Sequence, residues 1–258
     1  KLIFDIETER VNFATNKKFS RGEFGVLEIK FKGYLNDKMA GFYRSKYVDS
    51  YGKTKYAVTT QFEATDARRA FPCADEPALK AKFDLKLTFP KFNGNPSQSK
   101  ELTGLSNMEE ISREEKDGMI TLKFAKTPLM STYLLAFFIG EVDYVQEYLG
   151  NLKIRVYTPV NKSEKGLFAL DLACKIINFY EKYFDINFPL NKMDMIAIPD
   201  FAAGAMENWG LITYRSQYIL YDENETSSNM KTQMAYTIAH ELAHQWFGNL
   251  VTMEWWSD

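Results

Sequence analysis

At 258 residues, with 45% apolar and 15% aromatic side chains, the chain is long enough for one large domain or two ordinary ones and can fill their cores. A formal net charge of −2, with lysines and arginines scattered along the chain, excludes the clustered positive footprint of a nucleic-acid binder. No run approaches the roughly 20 apolar residues of a membrane-spanning helix, and two cysteines, Cys73 and Cys174, are too few for a disulfide framework and read as free buried thiols of a reducing compartment.

Residues 1–159 read as mostly β. Residues 26–33 alternate apolar and polar, the period of a half-buried strand. Residues 83–89 do the same and stop at Pro90. Residues 119–124 follow an Asp117-Gly118 turn, and residues 152–157 follow a Gly150-Asn151 turn. The greasiest segment, residues 133–139, reads as a buried strand. Short strands separated by turn signals predict a sheet sandwich. The charge-dense stretch 109–117 reads as a solvated hairpin or loop, and residues 91–99, rich in Pro, Gly, Asn and Ser, as an exposed loop. Residues 60–77 are polar and turn-rich. They carry Glu63 beside Phe62, which on composition alone is an acid on a connecting loop.

The pattern changes at a Pro-containing connection near Val160. Leu167, Leu170, Ala173, Cys174, Ile177 and Tyr180 recur at helical spacing, with Ser163 as a candidate N-cap. A domain boundary is expected between residues 159 and 160. A short strand at 193–198 is stopped by Pro199, and another is expected at 211–214. Between them Gly204, Ala205 and Gly210 are small enough to let a ligand approach the backbone, and Glu207 is an acid in apolar company. A helix over 229–250 follows, capped by Ser227 or Ser228, with Met234, Ile238, Leu242 and Phe247 on its apolar surface.

That helix holds both histidines of the chain, as His240-Glu241-Leu242-Ala243-His244. Four residues advance about 400° on a helix, so the imidazoles share one face about a turn apart. Two ring nitrogens placed this way can meet one small cation at about 2.0–2.1 Å. Glu241 is too close in sequence to chelate beside His240. It can reach a water on the metal and act as general base.

Three stretches then align with one family. Gly204-Ala205-Met206-Glu207-Asn208, the His240–His244 motif, and residues 246–256 (Trp-Phe-Gly-Asn-Leu-Val-Thr-Met-Glu-Trp-Trp) resemble the M1 family of zinc aminopeptidases. Residues 61–73 (Gln-Phe-Glu-Ala-Thr-Asp-Ala-Arg-Arg-Ala-Phe-Pro-Cys) are also similar to it, in wording close to its cytosolic, puromycin-sensitive branch. The resemblance implies an α+β chain: a saddle-like N-terminal β-sandwich domain at 1–159, then the first part of a thermolysin-like α/β catalytic domain at 160–258. It implies zinc held by His240 and His244, Glu241 as general base, and peptides with a free N-terminus as substrates. Glu207 and Glu63 would anchor the substrate α-amine, within a substrate-binding stretch made of Gly204, Ala205, Met206, Glu207 and Asn208. Gly204 and Ala205 would present backbone to an extended peptide. A cytoplasmic location follows from the same branch.

The family's third ligand, a Glu about nineteen residues past the second histidine, would fall beyond Asp258, where a zinc site of this kind needs three protein ligands. Both ends of the chain read as cut, and the piece alone is expected to bind zinc weakly and catalyse poorly. Two rivals remain. An epoxide hydrolase of the leukotriene A4 hydrolase type would be expected to carry Gln in place of Glu63 and two glycines in place of Gly204-Ala205. A non-catalytic binding relative would be expected to lose Glu241 or a ligand histidine.

Overall fold

Strands are the main regular structure up to residue 158 and α-helices enter only after it, in a computed structural model that describes residues 2–14, 16, 18–49 and 51–258. Residues up to 34 form one compact unit and residues 35–258 another. In the first, β1 (Leu2–Asp5) and β2 (Arg10–Phe13) make an antiparallel ribbon. The strand expected at residues 26–33 does not form. Alternation sets which faces a strand would show, but a strand also needs a neighbour to take its N–H and C=O groups. No described strand pairs with this stretch, and Val26 is fully exposed.

The second unit opens with a sandwich. Its strands are β3 (Gly41–Val48), β4 (Thr54–Gln61), β5 (Lys86–Pro90), β6 (Thr103–Ser106), β7 (Glu110–Lys116), β8 (Met119–Phe124) and β9 (Phe137–Gly140). One sheet has the order β3-β4-β9-β6 and the other β5-β8-β7. They face each other at Gly104, where an added Cβ would lie 2.8 Å from Leu122 of β8 and from Phe89 of β5. In β8, Ile120, Leu122 and Phe124 point inward and alternate with more open positions, as the sequence period requires. The charge-dense stretch becomes β7, an exposed edge strand joined to β8 through Asp117 and Gly118, both with positive φ.

Two expected strands shift, for a shared reason. Residues 133–139 are not one strand: Thr132–Leu134 form a 3-10 turn, and only β9 pairs. The Asn107 side chain takes the Leu134 carbonyl (2.7 Å) and the Ala136 N–H (2.8 Å), groups a ladder would have used. Likewise β5 starts at Lys86 rather than at residue 83, because the Thr127 hydroxyl accepts the Phe83 N–H.

A second sheet system follows. Its elements are β10 (Asp143–Leu149), β11 (Leu152–Thr158), α1 (Leu167–Phe184), β12 (Lys192–Ile198), β13 (Ala205–Met206), β14 (Leu211–Arg215) and α2 (Ser228–His244). The sheet order is β10-β11-β12-β14-β13, with β11, β12 and β14 parallel and a β strand at each end antiparallel. The link β11–α1–β12 is a crossover, as parallel neighbours require. β12 is buried along its whole length, which suits the apolar Met193 and Met195–Ile198, while Lys192 and Asp194 are buried as an ion pair. This sheet spans the expected seam at 159/160: β10 and β11 precede it, and β12 to β14 follow. Ser163 does not cap α1; it begins a 3-10 turn over Ser163–Gly166, and α1 starts after Gly166. Both cysteines are unpaired and only partly buried.

Candidate metal and peptide-amine site

The helix α2 begins where Ser227 accepts the Met230 N–H (3.2 Å). Met234, Ile238 and Leu242 drive one face of it into the core. The helix expected to reach residue 250 stops at His244. Gly248, at φ +120°, cannot continue it, and the Asn249 N–H folds back to the His244 carbonyl (3.1 Å).

The two histidines meet as the i, i+4 spacing predicts. Their Nε2 atoms are 3.0 Å apart and their rings nearly perpendicular, at 87°. His244 Nδ1–H donates to the Phe247 carbonyl (2.8 Å), which leaves the Nε2 lone pair facing its partner. Two nitrogens bound to one tetrahedral zinc at about 2.0–2.1 Å would lie about 3.3 Å apart, so the pair fits as two ligands of such an ion. Burial lowers the pKa of His240, and the neighbouring His244 adds to this against the pull of Glu207. Both effects favour the neutral imidazole that ligates. Among the described residues no group of three or more His, Cys, Asp or Glu side chains is placed to hold a metal ion. The pair supplies two candidate donors.

Glu241 sits between the histidines in sequence but on the buried side. Its Oε2 is buried and has no hydrogen-bond partner among the described residues. Burial first, then the nearby Glu207 and Glu63, push its carboxyl up to about 9. A buried carboxyl oxygen left without a partner is costly unless something polar completes it.

A cavity of about 570 Å³ joins these groups. Glu63, Tyr133, Ala205, Glu207, His240, Glu241 and His244 all line it. Within the Gly204–Asn208 stretch, Ala205 and Glu207 border the cavity, whereas Met206 and Asn208 are buried and do not line it. The Asn208 amide donates to Thr213 Oγ1 (3.1 Å). An added Cβ at Gly204 would meet only Tyr218, at 3.5 Å, so the fold itself does not demand that glycine. Glu63 is solvent-open on its loop, and partial desolvation followed by repulsion from Glu207 raises its pKa, against the pull of His244. The loop is pinned by Asp75, which accepts from the Arg68 backbone N–H (3.1 Å) and from Thr132 Oγ1 (2.7 Å). Asp258 also borders the cavity, with Oδ2 accepting the Trp255 N–H.

Three site residues escaped the sequence reading. Tyr133, read there as part of a buried strand, lines the cavity and donates its hydroxyl to the Gly248 carbonyl (3.1 Å). Gln245 and Asn249 are fully buried and bind the backbone of Glu207. They lie just past the end of α2, four and eight residues after Glu241, and nothing in that spacing marks them in the sequence. Among the described residues no helix is long and apolar enough to cross a membrane.

Two family models match the chain. The family model described as the peptidase M1 N-terminal domain matches residues 2–134, and that described as the peptidase family M1 domain matches residues 168–258. Aminopeptidase M1-C of Oryza sativa subsp. japonica is 55% identical over 90% of the chain. A puromycin-sensitive aminopeptidase of Caenorhabditis elegans is 51% identical over 90%, and aminopeptidase 2, mitochondrial, of Saccharomyces cerevisiae 48% over 99%. The chain spans about a quarter of the length of each of these relatives.

Proposed function

Because the chain belongs to peptidase family M1, we propose that the whole protein is a zinc-dependent aminopeptidase that removes the N-terminal residue from peptides with a free α-amine. The observation that carries this reading is one cavity lined by a histidine pair, a buried acid between them in sequence, and two further carboxylates. Metal chemistry alone would need only the first two. The extra pair, Glu207 and Glu63, gives the site something to measure from.

An exopeptidase must recognise a chain end, and the N-terminus of a peptide is an ammonium. Glu207 and Glu63 pair with it through charge-assisted hydrogen bonds, which are roughly twice as strong as neutral ones. Holding that charge fixes which carbonyl lies over Glu241. The strand β13 is the terminal strand of its sheet, so its outer edge at Ala205, with Gly204 before it, can pair with an extended peptide. His240 and His244 would hold the zinc ion, with a third, acidic ligand from beyond Asp258. When bound, zinc supplies Lewis-acid polarisation of the scissile carbonyl and acidification of water. Glu241 accepts the proton of the attacking water and returns it to the leaving amine. Two free cysteines suit the reducing cytoplasm that the sequence resemblance implies.

In the whole protein, Glu241→Gln is expected to keep its zinc, measured by atomic emission, and to lose about 10²- to 10⁴-fold in turnover of an aminoacyl-amidomethylcoumarin. Near-normal hydrolysis by that variant would remove Glu241 from the reaction. The same assay on the 258-residue chain alone is expected to give no chelator-sensitive turnover, since two imidazoles fall short of the three ligands a catalytic zinc uses.

A further inference from the structure

Residues 207–210 carry the amine-binding acid but belong to neither a helix nor a strand. Beside the backbone bonds at the Asn208 and Gly210 carbonyls, side chains take up the Glu207 carbonyl and the Gly210 N–H. Gln245 reaches three of the surrounding backbone groups at once. Its Nε2 donates to the carbonyls of Glu207 (3.0 Å) and Glu241 (3.2 Å), and its Oε1 accepts the Gly210 N–H (3.2 Å). Asn249 adds a second amide donor to the Glu207 carbonyl, at 2.8 Å. Both side chains are fully buried. Gln245 follows the ligand histidine His244 directly and lies one turn beyond Glu241. It therefore ties the helix that carries the metal-binding and base residues to the backbone of the residue that carries the amine anchor.

We propose that Gln245, seconded by Asn249, is a positioning residue that sets the span between the histidine-bearing helix and the Glu207 carboxylate. This rests on the aminopeptidase reading and deepens it. The distance from α-amine to scissile carbonyl is constant in every peptide, so a site that cuts only the first bond must hold its amine anchor and its base at one fixed separation. Hydrogen bonds confined to α2 would fix the base, and pairing of β13 with β14 would fix the anchor's strand, but neither links the two. Gln245 does so through backbone atoms, which cannot rotate away as a side chain can. A misplacement of about 1 Å at such a site can cost about a hundredfold in rate.

The test compares the whole wild-type protein with Gln245→Met, which keeps volume and removes the amide, and with Asn249→Ala. Five quantities are read: zinc content, KM and kcat on leucyl-amidomethylcoumarin, inhibition by a hydroxamate bearing a free α-amine, and inhibition by one lacking it. Gln245→Met is expected to keep full zinc and its affinity for the amine-free hydroxamate. Its KM and its constant for the amine-bearing inhibitor are expected to rise about ten- to a hundredfold. Asn249→Ala, which removes one donor of two, is expected to shift the same two quantities by about three- to tenfold, and it carries the test if Gln245→Met does not fold. Wild-type KM and amine-bearing inhibition in the folded variants overturn the proposal. So does a parallel loss of zinc and of both inhibitors, which marks a merely structural side chain. A wild-type protein inert on all free-amine substrates overturns the aminopeptidase reading itself, a result distinct from an active wild type with indifferent variants.

Discussion

Two carboxylates bordering one cavity are not equivalent candidates for an amine anchor. Glu207 is 8% exposed, while Glu63 stands on a solvent-open loop. A charge-assisted hydrogen bond is worth more where water is excluded and less where it is screened. Glu207→Gln is thus expected to raise KM for a free-amine substrate by about 10- to 100-fold, and Glu63→Gln by less, about tenfold or under. Steady-state kinetics on the two variants decides it, and a larger effect at Glu63 would reverse the assignment of the principal anchor. At this scale the histidine pair was legible, because helical spacing alone brings residues 240 and 244 onto one face. The acids were legible only through the family resemblance, since nothing local in the sequence ties residue 63 to residue 207. Gln245 was not read, because a buried glutamine is informative only once its backbone partners are known.

Elements were legible where one period ran undisturbed. The strand β8 and the hairpin turn before it follow from alternation and from Asp117-Gly118, and the parallel strand β12 from its apolar run. Errors came where a polar side chain claims backbone groups, as Asn107 does at Leu134 and Ala136. Lys192 makes the same kind of contact at greater energetic stake. It is buried at the start of β12 and donates to the carbonyls of Ser106 (2.6 Å) and Gly210 (2.8 Å), beside Asp194 (2.8 Å). It joins the sandwich strand β6 to the turn that follows Glu207. Burial lowers its pKa and Asp194 opposes that shift. Arg155 chelates Asp194 through Nε (2.7 Å) and a terminal nitrogen (2.9 Å), so the acid keeps a partner when the lysine is removed. The Gly210 carbonyl likewise keeps the Asp194 N–H (3.0 Å), whereas the Ser106 carbonyl loses the buried ammonium. Lys192→Met is expected to destabilise the chain by about 3 kcal/mol, near the low end of a broken buried pair. Urea unfolding checks this, and a midpoint within error of wild type would show that water replaces the ammonium.

For the whole molecule, the change of sequence character near residue 160 and the continuity of the sheet point to different divisions. The sequence turns from strand-rich to helix-bearing at that point, which is why the boundary is expected there. The hydrogen bonds run otherwise: Ile154 pairs with Met193 and Tyr157 with Ile196 across the seam, and α1 packs back against β10 and β11. Removing residues before 160 strips β12 of its β11 neighbour and bares a strand that is buried along its whole length. A long, apolar, unpaired edge invites pairing with other chains. A piece comprising residues 160–258 is accordingly expected to aggregate, whereas residues 35–258, which keep the sheet and the cavity intact, are expected to stay monomeric with protease-resistant strands. Size-exclusion chromatography with limited proteolysis separates the cases. A soluble, protease-resistant 160–258 piece would place the functional boundary at the sequence seam. The opposite result makes the β10–β11 hairpin part of the catalytic half, which then shares its cavity with the sandwich through Glu63 and Tyr133.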